Sequence, residues 1–111
     1  MSIRRDHLER GEQILKALGD PIRIRIIACL NSEKRLCVSD LVERLGTKQA
    51  NVSRHLKTLR DAGLVTRNQV GNRAFHTICG SKPIEILVSV NEVLKRFFPN
   101  GVNLLESHTL R

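Results

Sequence analysis

Residues 36–65 read LCVSDLVERLGTKQANVSRHLKTLRDAGLV, and the spacing of their apolar side chains decides the fold. Leu41, Val42 and Leu45 share one side of a helix expected from about Ser39 to Leu45, with Ser39 placed to cap it. Gly46 ends that helix, because the residue after a helix commonly takes a left-handed backbone that glycine adopts without strain. Thr47 can then cap a second helix, Lys48 to Ala62, whose Val52, Leu56 and Leu59 recur at the helical period. Two helices joined by so short a turn make a helix-turn-helix, a unit whose second helix fits the major groove of DNA.

The face opposite Val52, Leu56 and Leu59 tests that expectation. It holds Gln49, Asn51, Ser53, Arg54, Lys57 and Thr58. Gln and Asn pair with adenine and Arg with guanine, while Ser donates or accepts, so the first two turns carry a base-reading set. Ser53 has a competing use in bonding back to a helix carbonyl, and Asn51 in simple solvation. His55 either touches a phosphate or packs against the first helix of the motif.

Downstream, Ala62-Gly63 stops the helix. Leu64 to Asn68, a turn over Gln69, Val70, Gly71 and Asn72, and Arg73 to Ile78 have the lengths and composition of a β-hairpin. Such a hairpin is a wing: Arg67 and Arg73 straddle its turn and can reach phosphates beside the groove. Lys48, Arg54, Lys57, Arg60, Arg67 and Arg73 are opposed in this segment only by Asp61. The expected DNA contacts are therefore Lys48, Gln49, Asn51, Ser53, Arg54, His55, Lys57, Arg67 and Arg73.

Upstream, Leu8, Ile14, Leu15 and Leu18 give an imperfect helical stripe that Gly19-Asp20-Pro21 closes. Residues 22–30, IRIRIIACL, alternate like a strand, and their β-branched side chains favour one. Helix is preferred because Pro21 suits a first turn and Ile22, Ile26, Ile27 and Leu30 also follow a helical pattern. After Gly80, Ser81 can cap a last helix with Pro83 in its first turn. Ile84, Leu87, Val88, Asn91, Leu94, Lys95 and Phe98 share a broad face, with Val90, Val93 and Phe97 beside it. That is more apolar surface than one small core needs, which points to a partner helix. Pro99 ends the helix, and residues 1–7 and 100–111 are expected to be mobile ends of a single domain spanning 1–111.

Composition narrows the partner. The 111 residues carry a formal charge of +8, which favours a polyanion. With three Phe and neither Trp nor Tyr, the aromatic platforms usual in single-strand binders are missing, so duplex DNA is the better fit. No apolar run is long enough to span a membrane, and the start MSIRRDHLERGE lacks a signal-peptide core, so a cytoplasmic protein is expected. Three cysteines without a C-x-x-C pair suit a reducing compartment. No P-loop, dinucleotide fingerprint, H-E-x-x-H or serine elbow occurs, and the expectation is that the protein is not an enzyme.

Taken together, LKALGDPIRIRIIACL (15–30), LCVSDLVERL (36–45), QANVSRHLKTLRDAGLV (49–65) and RNQVGNRAFHTI (67–78) resemble the ArsR/SmtB family of winged helix-turn-helix repressors. The resemblance implies a mainly α fold with a β-hairpin wing, in a homodimer joined by its first and last helices. In this chain Leu8, Ile84, Leu87, Asn91, Leu94 and Phe98 would supply that interface. It further implies a palindromic operator, a recognition helix over 48–58, a wing over 64–78, and release when an effector binds.

Arsenite-sensing members carry C-V-C-D-L, whereas this chain reads Cys37-Val38-Ser39-Asp40-Leu41, and a hydroxyl is a poor ligand for As(III) or Cd(II). Zinc-sensing members place carboxylates and imidazoles along the last helix. Here it offers Glu85 and Glu92 but no His, and His76 and His108 lie in the wing strand and the tail. Thiol-sensing members pair a cysteine of the second helix with one near the end of the last; Cys29 fits the first position, but Cys79 precedes the last helix. No metal site is assigned. The effector candidates are Cys37, Cys79 and Cys29, acting through a soft metal or metalloid ion or a reversible cysteine modification, with Cys29 also readable as a small buried hydrophobe. The alternatives are a constitutive repressor with structural cysteines and an architectural duplex binder.

Overall fold

The computed structural model describes residues 3–106. Helix α1 (Arg5–Leu18) leads into α2 (Pro21–Glu33), a two-residue strand β1 (Arg35–Leu36), α3 (Val38–Leu45) and α4 (Gln49–Asp61). Strands β2 (Val65–Val70) and β3 (Arg73–Ile78) follow, then α5 (Lys82–Leu94). The sheet is antiparallel in the order β1-β3-β2. This is a mainly helical winged helix-turn-helix.

The ambiguous segment 22–30 is helical, and its position explains why its sequence lacks a one-sided stripe. Helix α2 is the hub: it contacts α1, α3, α4, α5, β1 and β3, and Ile26, Ile27, Ala28, Cys29 and Leu30 are all buried in succession. A helix surrounded on most sides needs apolar residues around its circumference. Asp20 caps it by accepting from the Arg23 backbone N–H at 3.0 Å, with Pro21 in the first turn. The Arg23 guanidinium also donates to the Ala17 and Lys16 carbonyls at 2.7 and 3.1 Å, which closes the C-terminal end of α1.

Caps differ from expectation at three places. Helix α3 starts one residue early, with Cys37 rather than Ser39 at its N-cap, because Asp40 accepts the Cys37 backbone N–H at 3.1 Å. Thr47 does not cap α4; its Oγ1 accepts from Asn51 Nδ2 at 3.0 Å, and Lys48 takes the N-cap position. At α5 the Ser81 hydroxyl donates to Glu85 at 2.9 Å instead of capping. Gly46 does end α3, at φ +65°.

Strand β1 was not expected from the sequence. Two residues are too few for a periodic signal, and Arg35 and Leu36 extend only because β3 pairs with them, Arg35 opposite Thr77 and Leu36 opposite His76. The hairpin turn is tighter than the four residues expected: Val70 pairs with Arg73, leaving Gly71 (φ +61°) and Asn72 to turn the chain.

The chain after α5 departs most from expectation. Helix α5 stops at Leu94, before Pro99, in tight turns that include Phe97 N–H to Leu94 O at 2.9 Å. Residues 102–105 then fold back. Asn91 accepts from the Leu104 N–H at 3.0 Å and donates to Asn103 Oδ1 at 3.1 Å, and Leu104 and Leu105 pack against the core. At the other end, residues 5–7 form the first turn of α1. Residues 1–2 and 107–111 of the expected mobile ends lie outside the described residues.

Candidate nucleic-acid interface

Helix α4 buries Val52, Leu56 and Leu59 completely, and that contact with the core fixes which side faces out. Lys48, Gln49, Ser53, Arg54 and Lys57 are exposed on it, while Asn51 and Thr58 are half-buried. Local bonds organise the face. Asn51 links Thr47 in the turn to Arg54, whose Nη2 it accepts, and Thr58 donates to the Arg54 carbonyl at 3.2 Å. Lys57 pairs with Asp61 one turn on, at 2.8 Å, so part of its charge is already balanced.

His55 is not on this face. It is buried, and its Nδ1 lies 3.1 Å from Arg23 Nη1 and 3.9 Å from Asp20, both at the start of α2 rather than on α3. A guanidinium only donates, so Nδ1 accepts and the proton sits on Nε2. Burial holds the His55 pKa below the ordinary imidazole value, against an opposing pull from Asp20. His55 therefore anchors the helix and does not present itself to a phosphate.

The wing is tied to α4 from behind. Arg60 Nη1 lies 3.2 Å from Nε2 of His76, which is buried at the centre of β3 and whose pKa burial and Arg60 both depress. Arg67 is exposed on β2, with Gln69 Oε1 at 3.4 Å. Arg73 is exposed as a residue, yet its Nη2 turns inward to Cys37 Sγ at 3.1 Å. Two guanidiniums flank Phe75: Arg35 at 4.3 Å from the ring centroid and Arg73 at 5.5 Å. Arg35 thus joins the basic wing surface. No local pattern marks it, because only the β1–β3 pairing brings it there.

The cysteines occupy three environments, and among the described residues no three His, Cys, Asp or Glu side chains converge as a metal site. Cys29 is buried in α2, and burial pushes its thiol pKa up. Cys79 is exposed after β3. Cys37 is buried at the start of α3, where Sγ donates to Asp40 Oδ2 at 2.9 Å and lies 3.1 Å from Ser39 Oγ. The Cys37 thiol and backbone N–H together hold the Asp40 carboxyl below its usual range. His108, the other imidazole considered, lies outside the described residues.

The residues expected to join two copies separate into three groups. Leu87 belongs to the protomer's own core and Asn91 holds the returning tail, so neither faces outward. Ile84 and Leu94 are half-buried, while Leu8 and Phe98 are exposed. Val88, Val90, Val93 and Phe97 are the other exposed large apolar side chains on and after α5, with Ile3, Leu8 and Leu15 exposed on and beside α1. No helix among the described residues is long and apolar enough to cross a membrane.

Comparison with known proteins bears on this geometry. Residues 20–67 match the profile described as bacterial regulatory protein, arsR family. A helix-turn-helix-type transcriptional regulator of Methanocaldococcus jannaschii is 33% identical over 85 residues, 77% of this chain and 96% of that protein. The transcriptional repressor SmtB of Mycobacterium tuberculosis is 38% identical over 74 residues, 67% of this chain and 54% of that protein. The crystal structure of the transcriptional repressor PagR of Bacillus anthracis superposes with a TM-score of 0.69 at 28% identity, over 79% of this chain and all of that one.

Proposed function

The chain belongs to the arsR family of bacterial regulatory proteins, and from that premise we propose that it is a homodimeric repressor that recognises a palindromic operator and is released by modification of a thiol. A DNA-binding regulatory role, without catalysis, is common to the family. The observation that carries the operator reading is the outward face of α4. Gln49, Ser53 and Arg54 stand clear of the core in the first turns, where a recognition helix meets base edges. Lys48, Lys57, Arg67 and Arg35 surround them with positive charge suited to phosphates.

A palindromic operator calls for a second copy. Two α4 helices related by a two-fold axis would address half-sites about one helical turn, roughly 34–36 Å, apart. The exposed apolar residues of α1 and α5 are the surface available for that contact.

Cys37 is the favoured sensor because its sulfur joins two parts of the interface. Arg73 Nη2 on β3 donates to Sγ, and Sγ donates to Asp40 at the start of α3. Oxidation or an adduct at Sγ removes the thiol proton that Asp40 accepts and adds atoms in the space where Arg73 Nη2 donates, which displaces Arg73 and so disturbs the contact between the wing and the helix before the recognition helix. Reaction requires the α3 N-terminus to open first, since the thiol is buried. Metal chelation is less well supported, because Ser39 Oγ is the group beside Cys37 Sγ and is a weak ligand for soft ions.

Fluorescence anisotropy with the native upstream region against random duplex at equal salt tests the operator reading. Equal affinity for both would favour an architectural binder. Repeating the titration with peroxide, polysulfide, arsenite, cadmium or zinc, on the native chain and on C37S, C79S and C29S, tests the switch. Loss of release in C37S alone is expected. Release that persists without any of the three cysteines would refute the thiol switch.

A further inference from the structure

The tail that folds back after α5 and the first turns of α2 line a half-open cavity of about 540 Å³, within the roughly 300–1,000 Å³ typical of small-molecule sites. Pro21 and Ile24 form one apolar wall, Val102 and Leu104 the other, and Arg25 lines the space between them. Nε of Arg25 is shielded from solvent and has no hydrogen-bond partner among the described residues. Arg25 lines the cavity, and a carboxylate is the best-matched acceptor for a guanidinium because the two planar groups pair through parallel bonds; Nε, shielded where it lies, is reached by such a ligand only when the side chain turns toward the cavity. Glu106 also lines the cavity but already has an interaction of its own.

We propose that this cavity binds small amphipathic carboxylates, the carboxylate held by Arg25 and an apolar body lying between α2 and the returning tail. Its walls connect to both functional regions of the molecule. Leu104 is tethered through its N–H to Asn91 of α5. Pro21, Ile24 and Arg25 share the opening turns of α2 with Asp20 and Arg23, which hold His55 of α4. Occupancy would therefore alter how α4 is seated, a coupling that rests on the DNA-binding function proposed above.

Octanoate, 1-octanol and acetate are suitable probes on the full chain, with binding read by calorimetry and by NMR shifts, neither of which involves DNA. Octanoate should bind saturably and at least about tenfold more tightly than either control, since it alone offers both charge and apolar body. R25Q should erase the advantage over 1-octanol, R25K should restore part of it, and L104W, which fills the cavity, should weaken both. Circular dichroism confirms that each variant is folded. Octanoate binding no better than 1-octanol, or an advantage that survives R25Q in a folded protein, would overturn the site. Octanoate that binds as expected yet leaves duplex-DNA affinity unchanged would overturn the coupling to α4.

Discussion

Helices α4 and α5 are each thirteen residues long, and each seats an apolar face against the same core: Val52, Leu56 and Leu59 on one, Leu87 on the other. Their outward faces differ. Helix α4 shows Gln49, Ser53, Arg54 and Lys57 to solvent, whereas α5 shows Val88, Val90 and Val93 among Glu85, Ser89 and Glu92, and exposed Phe97 and Phe98 follow it. The inner faces build the protomer, and the outer faces choose the partner: a polyanion for one helix, an apolar surface for the other.

The largest effect should come from charging the outer face of α5. V90D combined with V93D places carboxylates where a second copy would pack, while both positions are already exposed in the protomer. Sedimentation velocity should show a single copy with undiminished helicity, and operator affinity should fall roughly 10²–10⁴-fold as the second half-site contact is lost. A dimer that persists would assign the contact elsewhere.

The inner and outer faces of α5 should also differ in what they contribute to folding. L87A opens a void at a fully buried site and should cost about 2–5 kcal/mol in urea denaturation, measured on the V90D/V93D background so that assembly does not mask it. The same truncation at Val93 on a V90D background should leave protomer stability nearly unchanged.

On α4, R54A should weaken the matched operator by about 1–3 kcal/mol and relax preference at one base pair. K57A should weaken all duplexes alike and lower the slope of log affinity against log salt by about one. The contrast separates reading from positioning; equal losses on every sequence for R54A would remove it from the base-reading set.

The smallest effect concerns the seat of α4. His55 has its folded pKa depressed by burial, so the unfolded chain binds more protons as pH drops below the ordinary imidazole value. Stability contributed by the neutral ring is complete above that value and is lost as pH falls toward the folded pKa. Denaturation midpoints should therefore decline as pH falls below the ordinary imidazole value, and H55Q should flatten that decline; His76, also depressed by burial, should account for part of what remains.

Much of the interface was legible because its signals are local. Leu41, Leu45, Val52, Leu56 and Leu59 recur at the helical period, Gly46 breaks it, and the polar complement on α4 follows once the buried side is known. His55 was harder, since it sits on the flank of that helix, and only the approach of α2 with Asp20 and Arg23 decides that it is covered. Leu87 and Asn91 read as partner-facing from sequence because an apolar helix face looks the same whether it meets its own chain or another. The fold-back of Leu104 and Leu105 has no periodic signature, so nothing in residues 100–106 announced it.

By itself the sequence determined the order of α1 to α5 and the hairpin, the helix-turn-helix and the positive charge around them, because each depends on neighbours a few residues apart or on composition alone. Tertiary structure decided which side of α5 is inside, which cysteine touches Arg73, and where the tail comes to rest. Those outcomes depend on contacts between segments such as Cys37 and Arg73, thirty-six positions apart, whose meeting is set by the packing of whole elements around α2.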